Sequence, residues 1–387
     1  MADAQTPFLE SGDEAHKHYS QELRTQPLPP PPVPLWKTTK GLAGIAILVL
    51  AIIGAVVGIV VSTEAKKSNK SDAKSTAASG AGGGTSSNGT VAALGGAGVA
   101  AVNWPSNVRL YTQKDDGFVY EATGDQSGNW NPNPTKLFQA KPGTPLTAVT
   151  PAPSQIHLYY LDTSNVLQEY VFNNGWSNGA APASPNISPN TSLAATTWND
   201  KSSGQNYRLY YQKQDNTIQE LVYATGSGWS SGQTFPDAAY PGTSLGAFVN
   251  NNATLTTRVY WQAKDFTLNE YIYSGSWSRN TLQWSAAPSS GIAAVAWPDP
   301  SGNPNIRLYY ENIAGNVEEV SYGSTTGWGG NPSPPTNTIV GFQAPISATL
   351  WVDGGAVEIR TYAKSNSSNG HTEFAYSGSW TSKDLAF

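Results

Sequence analysis

An arginine and a glutamate twelve residues apart, with a tyrosine two beyond the arginine, form a polar unit that this chain carries repeatedly. Arg208–Trp229 reads RLYYQKQDNTIQELVYATGSGW, and Arg258–Trp277 reads RVYWQAKDFTLNEYIYSGSW. A guanidinium offers a fork of N–H donors and no acceptor, whereas a carboxylate offers acceptors alone. Side by side they serve a neutral polyol, whose hydroxyls both donate and accept. Bonds with one ionised partner contribute about 1.5–3 kcal/mol each. A nearby Tyr or Trp supplies the flat apolar face on which the C–H side of a sugar ring can lie.

The unit occurs six times, at intervals of roughly fifty residues. Its anchors are Arg109, His157, Arg208, Arg258, Arg307 and Arg360, each followed two residues later by Tyr. The glutamates are Glu121, Glu169, Glu220, Glu270, Glu319 and, one residue further out, Glu373. A tryptophan closes each copy: Trp130, Trp176, Trp229, Trp277, Trp328 and Trp380. Ahead of each anchor lies an apolar run: GVAAVNW, PLTAVTP, SLAATTW, SLGAFVN, GIAAVAW and PISATLW.

Each copy reads as four short strands. The Ala-rich run is suited to a crowded inner position. The R-x-Y strand follows, then a turn such as DDG, DTSN or AGN, a strand carrying Glu, and a fourth starting near the Trp. Four strands per unit, repeated six times, predict an all-β, six-bladed propeller over residues 91–387. A β-solenoid would need shorter repeats. Around a short hairpin, Arg and Glu lie opposite or nearly so on one face of the blade. The residue three after Glu points to the other face. Those residues are Gly124, Phe172, Tyr223, Tyr273, Tyr322 and Tyr376. In a ring, the Arg/Glu face of one blade then meets the aromatic face of the next, and a small pocket forms between them.

Two other readings compete with a sugar pocket. The Arg–Glu pairs can serve only to staple blades together, leaving a scaffold for protein–protein contact. A glycoside hydrolase is the second, but hydrolysis commonly needs two carboxylates flanking one bond, and each copy supplies a single Glu beside Arg. No Ser–His pair recurs with the repeats. The pocket reading requires the Arg258–Glu270 pair to be open to solvent beside Trp328.

Residues 91–387 resemble the fungal fucose-specific lectins of the Aleuria aurantia type. The resemblance rests on I-R-L-Y-Y, a turn, x-E-x-x-Y and G-x-W, as in Ile306–Tyr310, Glu319, Tyr322 and Trp328. It implies L-fucose and fucosylated glycans as partners, bound between blades without metal, cofactor or catalysis. Arg and Glu of one blade would hold the sugar, and Tyr and Trp of the next would stack on it. Carried over, Arg208 and Glu220 work with Tyr273 and Trp277, Arg258 and Glu270 with Tyr322 and Trp328, and Arg307 and Glu319 with Tyr376 and Trp380. Arg109 and Glu121 meet Phe172 and Trp176, which lacks only a phenol hydroxyl. The pocket of His157, Glu169, Tyr223 and Trp229 lacks the arginine. That of Arg360, Glu373 and Trp130 has Gly124 where the aromatic should be. Four good sites and two poor ones are therefore expected.

The first ninety residues lie outside this resemblance. Residues 1–40 are a polar, Pro-rich tail containing PLPPPPVP. Residues 41–61 read GLAGIAILVLAIIGAVVGIVV without one charge, long enough to span ~30 Å of hydrocarbon as a helix. Residues 62–90 form a Ser/Gly/Ala/Lys stalk. These features imply a single-pass membrane protein whose lectin domain faces the extracellular or lumenal side. Six N-x-S/T sequons, at Asn69, Asn88, Asn186, Asn190, Asn252 and Asn366, agree with that side. Lys66, Lys67, Lys70 and Lys74 after the span argue the other way. A net charge of −5 over 387 residues, with no large Lys/Arg block, excludes a nucleic-acid binder. The absence of Cys excludes disulfides and thiolate chemistry. Whether chains associate into homo-oligomers is left open by the sequence.

Overall fold

A computed structural model describes residues 98–387, apart from 203, 252–253, 334–339, 341–342 and 366–369. The tail, apolar run and stalk read from the sequence lie outside the described residues. Among those residues no helix is long and apolar enough to cross a membrane.

The chain folds into six four-stranded antiparallel sheets, each made of four consecutive strands. The first blade comprises β1 (Val99–Trp104), β2 (Asn107–Gln113), β3 (Phe118–Gly124) and β4 (Thr135–Gln139). The turn between β2 and β3 needs a residue with positive φ, which Gly117 provides at 79°. Asn165, Asn216 and Gly315 stand at the same point of later blades, with φ of 62°, 66° and 81°.

The first strands of all six blades stand around a common axis. Ala100, Ala148, Ala195, Ala247, Ala294 and Ala348 line an axial channel of about 100 Å³. Small side chains let six strands converge there, as the Ala-rich runs predict. Among the described residues, the sixth sheet is completed by its own last strand, Trp380–Leu385, as each other sheet is by its own. Closure relies on side chains. The Ser347 hydroxyl accepts from the Ala101 amide at 2.9 Å, and the Thr349 hydroxyl donates to Asn103. Aromatic and aliphatic side chains pack between neighbouring blades in six clusters, each with members from two consecutive blades.

Glutamines at the end of the second strand pin the loop that leads to the next blade. Gln113 donates to the Lys141 carbonyl at 2.8 Å and accepts from the Thr144 amide at 3.1 Å. Gln212 does the same with Tyr240 and Gly242, at 2.9 and 2.8 Å, and Gln262 with Ala287 and Ser289, at 2.9 and 3.0 Å. An amide suits this place because it donates and accepts at once. In the fifth blade the residue is Glu311.

Candidate functional site

Strand register sets the polar unit. The direct cross-strand partner of each glutamate is the tyrosine two beyond the anchor: Tyr111 faces Glu121, Tyr210 faces Glu220, Tyr260 faces Glu270 and Tyr309 faces Glu319. The arginine lies one pair further along the same face, diagonal to Glu. Its long side chain spans the diagonal. Arg and Glu approach to 3.6 Å in blade 1, 3.5 Å in blade 3, 3.0 Å in blade 4 and 3.3 Å in blade 5. The buried tyrosine lies beneath. Its hydroxyl donates to the carboxylate at 3.0 Å in blades 1 and 3 and 2.8 Å in blade 5.

The next blade supplies the aromatic side of the cleft, as the alternation predicts. Phe172–Trp176, Tyr223–Trp229, Tyr273–Trp277, Tyr322–Trp328 and Tyr376–Trp380 form five similar pairs, with ring centroids 5.3–5.5 Å apart. These tryptophans meet the buried tyrosine of the preceding blade edge-on. Tyr111–Trp176, Tyr159–Trp229, Tyr260–Trp328 and Tyr309–Trp380 all have centroids 6.0 Å apart. For the third cleft, Tyr210 and Trp277 belong to one buried cluster. The indole does more than offer a face. Trp328 donates its N–H to Glu270 at 2.8 Å, and Trp130 donates to Glu373 at 3.1 Å.

The clefts differ in access. The Arg side chains of blades 1, 3 and 5 keep 20%, 20% and 29% exposure. In blade 4, Arg258 keeps 8% and Glu270 1%. The fourth cleft therefore fails the condition set by the sequence, a pair open to solvent beside Trp328, and the pocket reading holds only for blades 1, 3 and 5, whose arginines stay accessible. Both Glu270 oxygens are engaged, by Arg258 at 3.0 Å and by Trp328 and Asn280 at 2.8 and 2.9 Å. The guanidinium lies 4.3 Å from the Tyr322 ring centroid. It thus covers the aromatic face that a ligand would use.

The two clefts read as poor are closed in different ways. His157 reaches Glu169 at 2.8 Å, and its other ring nitrogen lies 3.3 Å from the Tyr207 hydroxyl. The Tyr207 ring, 4.8 Å from the imidazole, occupies the remaining space. In blade 6 the expected Arg360–Glu373 pair is replaced. Arg360 turns to Glu358 at 3.4 Å and to the Gln126 carbonyl at 3.2 Å, while Lys383 reaches Glu373 at 3.2 Å. Trp130 packs directly on Gly124, where even a Cβ would come within 2.8 Å of the indole.

Burial raises the carboxyls of Glu121, Glu220 and Glu319 above the ordinary glutamate value, and Tyr hydrogen bonds and Arg charge only partly offset it. One set of residues escaped the sequence reading. Trp104, Trp198, Trp297 and Trp351, at or near the ends of first strands, lie under Arg109, Arg208, Arg307 and Arg360 with Cζ 4.7–5.1 Å from the ring centroid. The signal was present in four of the six apolar runs, which end in Trp.

These clefts and this ring are those of a carbohydrate-binding propeller. The sequence profile of the fungal fucose-specific lectins matches residues 94–253 and 205–386, and the chain belongs to that family. The fucose-specific lectin of Aleuria aurantia is 30% identical over 241 residues, covering 59% of this chain and 75% of that lectin. That of Aspergillus fumigatus is 29% identical over 256 residues, covering 63% and 79%. The crystal structure of the six-bladed Aleuria aurantia lectin superimposes with a TM-score of 0.64 at 25% identity, covering 74% of this chain and 95% of that one.

Proposed function

We propose that the protein binds L-fucose, presented on glycans or glycoproteins, in the clefts that follow blades 1, 3 and 5. Arg109, Arg208 and Arg307 donate to sugar oxygens. Glu121, Glu220 and Glu319 accept from its hydroxyls, and the aromatic pairs of blades 2, 4 and 6 receive its apolar face. The single observation that carries this reading is the recurrence of an Arg–Glu pair whose guanidinium keeps 20–29% exposure beside an aromatic wall. Three clefts on one rigid ring give clustered ligands a high effective concentration. The buried pairs of blades 2 and 4 hold aromatic side chains of the next blade, Tyr207 by His157 and Trp328 and Tyr322 by Glu270 and Arg258, and so staple blades together.

Calorimetric titration with L-fucose is expected to give three equivalents per chain. No heat, together with no fucoside signal on a glycan array, would return the ring to the role of a protein-binding scaffold. The raised carboxyls add a pH signature. A protonated Glu no longer accepts two hydroxyl bonds, so affinity falls on acidification, by about tenfold per pH unit once below the raised value. The fall begins above the ordinary glutamate value of 4.5. A constant Kd down to pH 4 would remove Glu from the binding set.

The apolar run at residues 41–61 and the stalk at 62–90 support display of the ring from a membrane, on the extracellular or lumenal side where fucosylated glycans occur. Protease protection in sealed vesicles tests the orientation.

A further inference from the structure

The three open clefts share a feature that the closed fourth lacks. In blades 1, 3 and 5 the first strand carries Trp104, Trp198 and Trp297 at or near its end. Each stands two residues beyond the arginine's cross-strand partner, since Val102 pairs with Arg109, Thr196 with Arg208 and Val295 with Arg307. Residues two apart on a strand share a face, so the indole is the diagonal neighbour of the guanidinium. The guanidinium lies over it at 4.8, 4.7 and 5.1 Å. Nη1 of each arginine also donates to the carbonyl preceding its own residue, at 3.1, 3.0 and 3.1 Å. With Nε turned toward Glu, the arginine stands over its own blade and leaves the neighbour's aromatic wall uncovered.

In blade 4 the same position is Asn250, two beyond Phe248, the partner of Arg258. Asn250 donates instead to the Gly302 carbonyl of the next blade at 2.9 Å. With no indole beneath it, Arg258 lies on Tyr322 and its Nη1 bonds Glu270. Cation–π attraction favours whichever ring is within reach. In blades 1, 3 and 5 that ring is the blade's own, and in blade 4 it is the ring a sugar would need. Trp351 shows that the indole alone is not sufficient. Arg360 stands over it at 4.7 Å, but the cleft has lost its aromatic wall to Gly124 and its Glu373 to Lys383.

We infer that the tryptophan two residues beyond the arginine's partner on the first strand is a positioning residue that decides which clefts are open to ligand, and that Asn250 closes the fourth. The inference rests on the fucose-cleft reading for its functional consequence, but its structural half stands apart from any ligand.

The test is Asn250→Trp in the full chain, read in two ways. A crystal structure without ligand is expected to show Arg258 over the introduced indole and lifted from Tyr322. Titration with L-fucose is expected to rise from three to four equivalents. Arg258 remaining on Tyr322 overturns the inference whether or not fucose binds, whereas a wild type giving no heat overturns the fucose reading alone. Since Asn250 is buried, the reverse exchange guards against misfolding. Trp198→Asn is expected to drop Arg208 onto Tyr273 and reduce three equivalents to two, and Trp198→Phe to restore the third. Three equivalents in Trp198→Asn would also overturn the inference.

Discussion

Replacing Arg109, Arg208 and Arg307 together by alanine is expected to abolish fucose binding, while replacing Arg258 alone is expected to spare binding and cost stability. The contrast follows from burial. Each open arginine would give a sugar two charge-assisted bonds of about 1.5–3 kcal/mol apiece, so its loss weakens a cleft by at least about a hundredfold. The glutamate left behind keeps its tyrosine donor. The cost to folding is then on the order of 1 kcal/mol per blade. Arg258 is different. Removing it strands a carboxylate with 1% side-chain exposure, and breaking a buried pair from one side costs about 3–5 kcal/mol. Calorimetric titration and thermal melts on the same two variants give the four numbers required. Loss of an equivalent in Arg258→Ala would mean that the fourth cleft opens in solution and binds.

Glu311→Gln is expected to stabilise the ring markedly above neutral pH and to change little in acid. Glu311 sits where Gln113, Gln212 and Gln262 pin the loops of other blades. One carboxyl oxygen accepts from the Ala344 amide at 3.2 Å, as the glutamine oxygens do from their loops. The other is buried without a partner, at the place where the glutamine nitrogens donate to carbonyls. Burial pushes its pKa up to about 7 from 4.5. Between those values the folded chain holds a proton that the unfolded chain has released, so stability falls as pH rises from 4.5 to 7. The full penalty, on the order of 3 kcal/mol, is present above about pH 7. Urea unfolding at about pH 4.5 and about pH 8 should show that loss in the wild type and not in Glu311→Gln. Parallel pH profiles for the two proteins would rule out Glu311 as the cause.

Much of this was written locally. The period of the R-x-Y and x-E-x-x-Y strands counts the blades, because each hairpin forms from residues about twelve apart and sends Glu and the +3 aromatic to opposite faces. His157, standing where the other five copies carry arginine, and Gly124, standing where they carry an aromatic, mark two clefts as defective from the letters alone. The fourth cleft was misjudged because every residue of its motif is present. What closes it is Asn250, which ends the fourth apolar run where four of the other runs end in Trp, outside the Arg, Tyr, Glu and Trp of the polar unit, and which acts through a ring on another blade. The replacement of Arg360 by Lys383 as the cation beside Glu373 was hidden for the same reason, since Lys383 lies on the outermost strand and the Gln126 carbonyl that holds Arg360 belongs to the first blade.

By itself, then, the amino-acid order determined six blades, the face that carries charge, the face that carries rings and the kind of ligand such a pairing suits. Those properties follow from strand alternation and short hairpins, which are local. Only the assembled ring decided which guanidinium stands free. That choice depends on which of two aromatic rings lies within reach, one on the arginine's own blade and one on its neighbour's, and sequence distance does not report which is nearer.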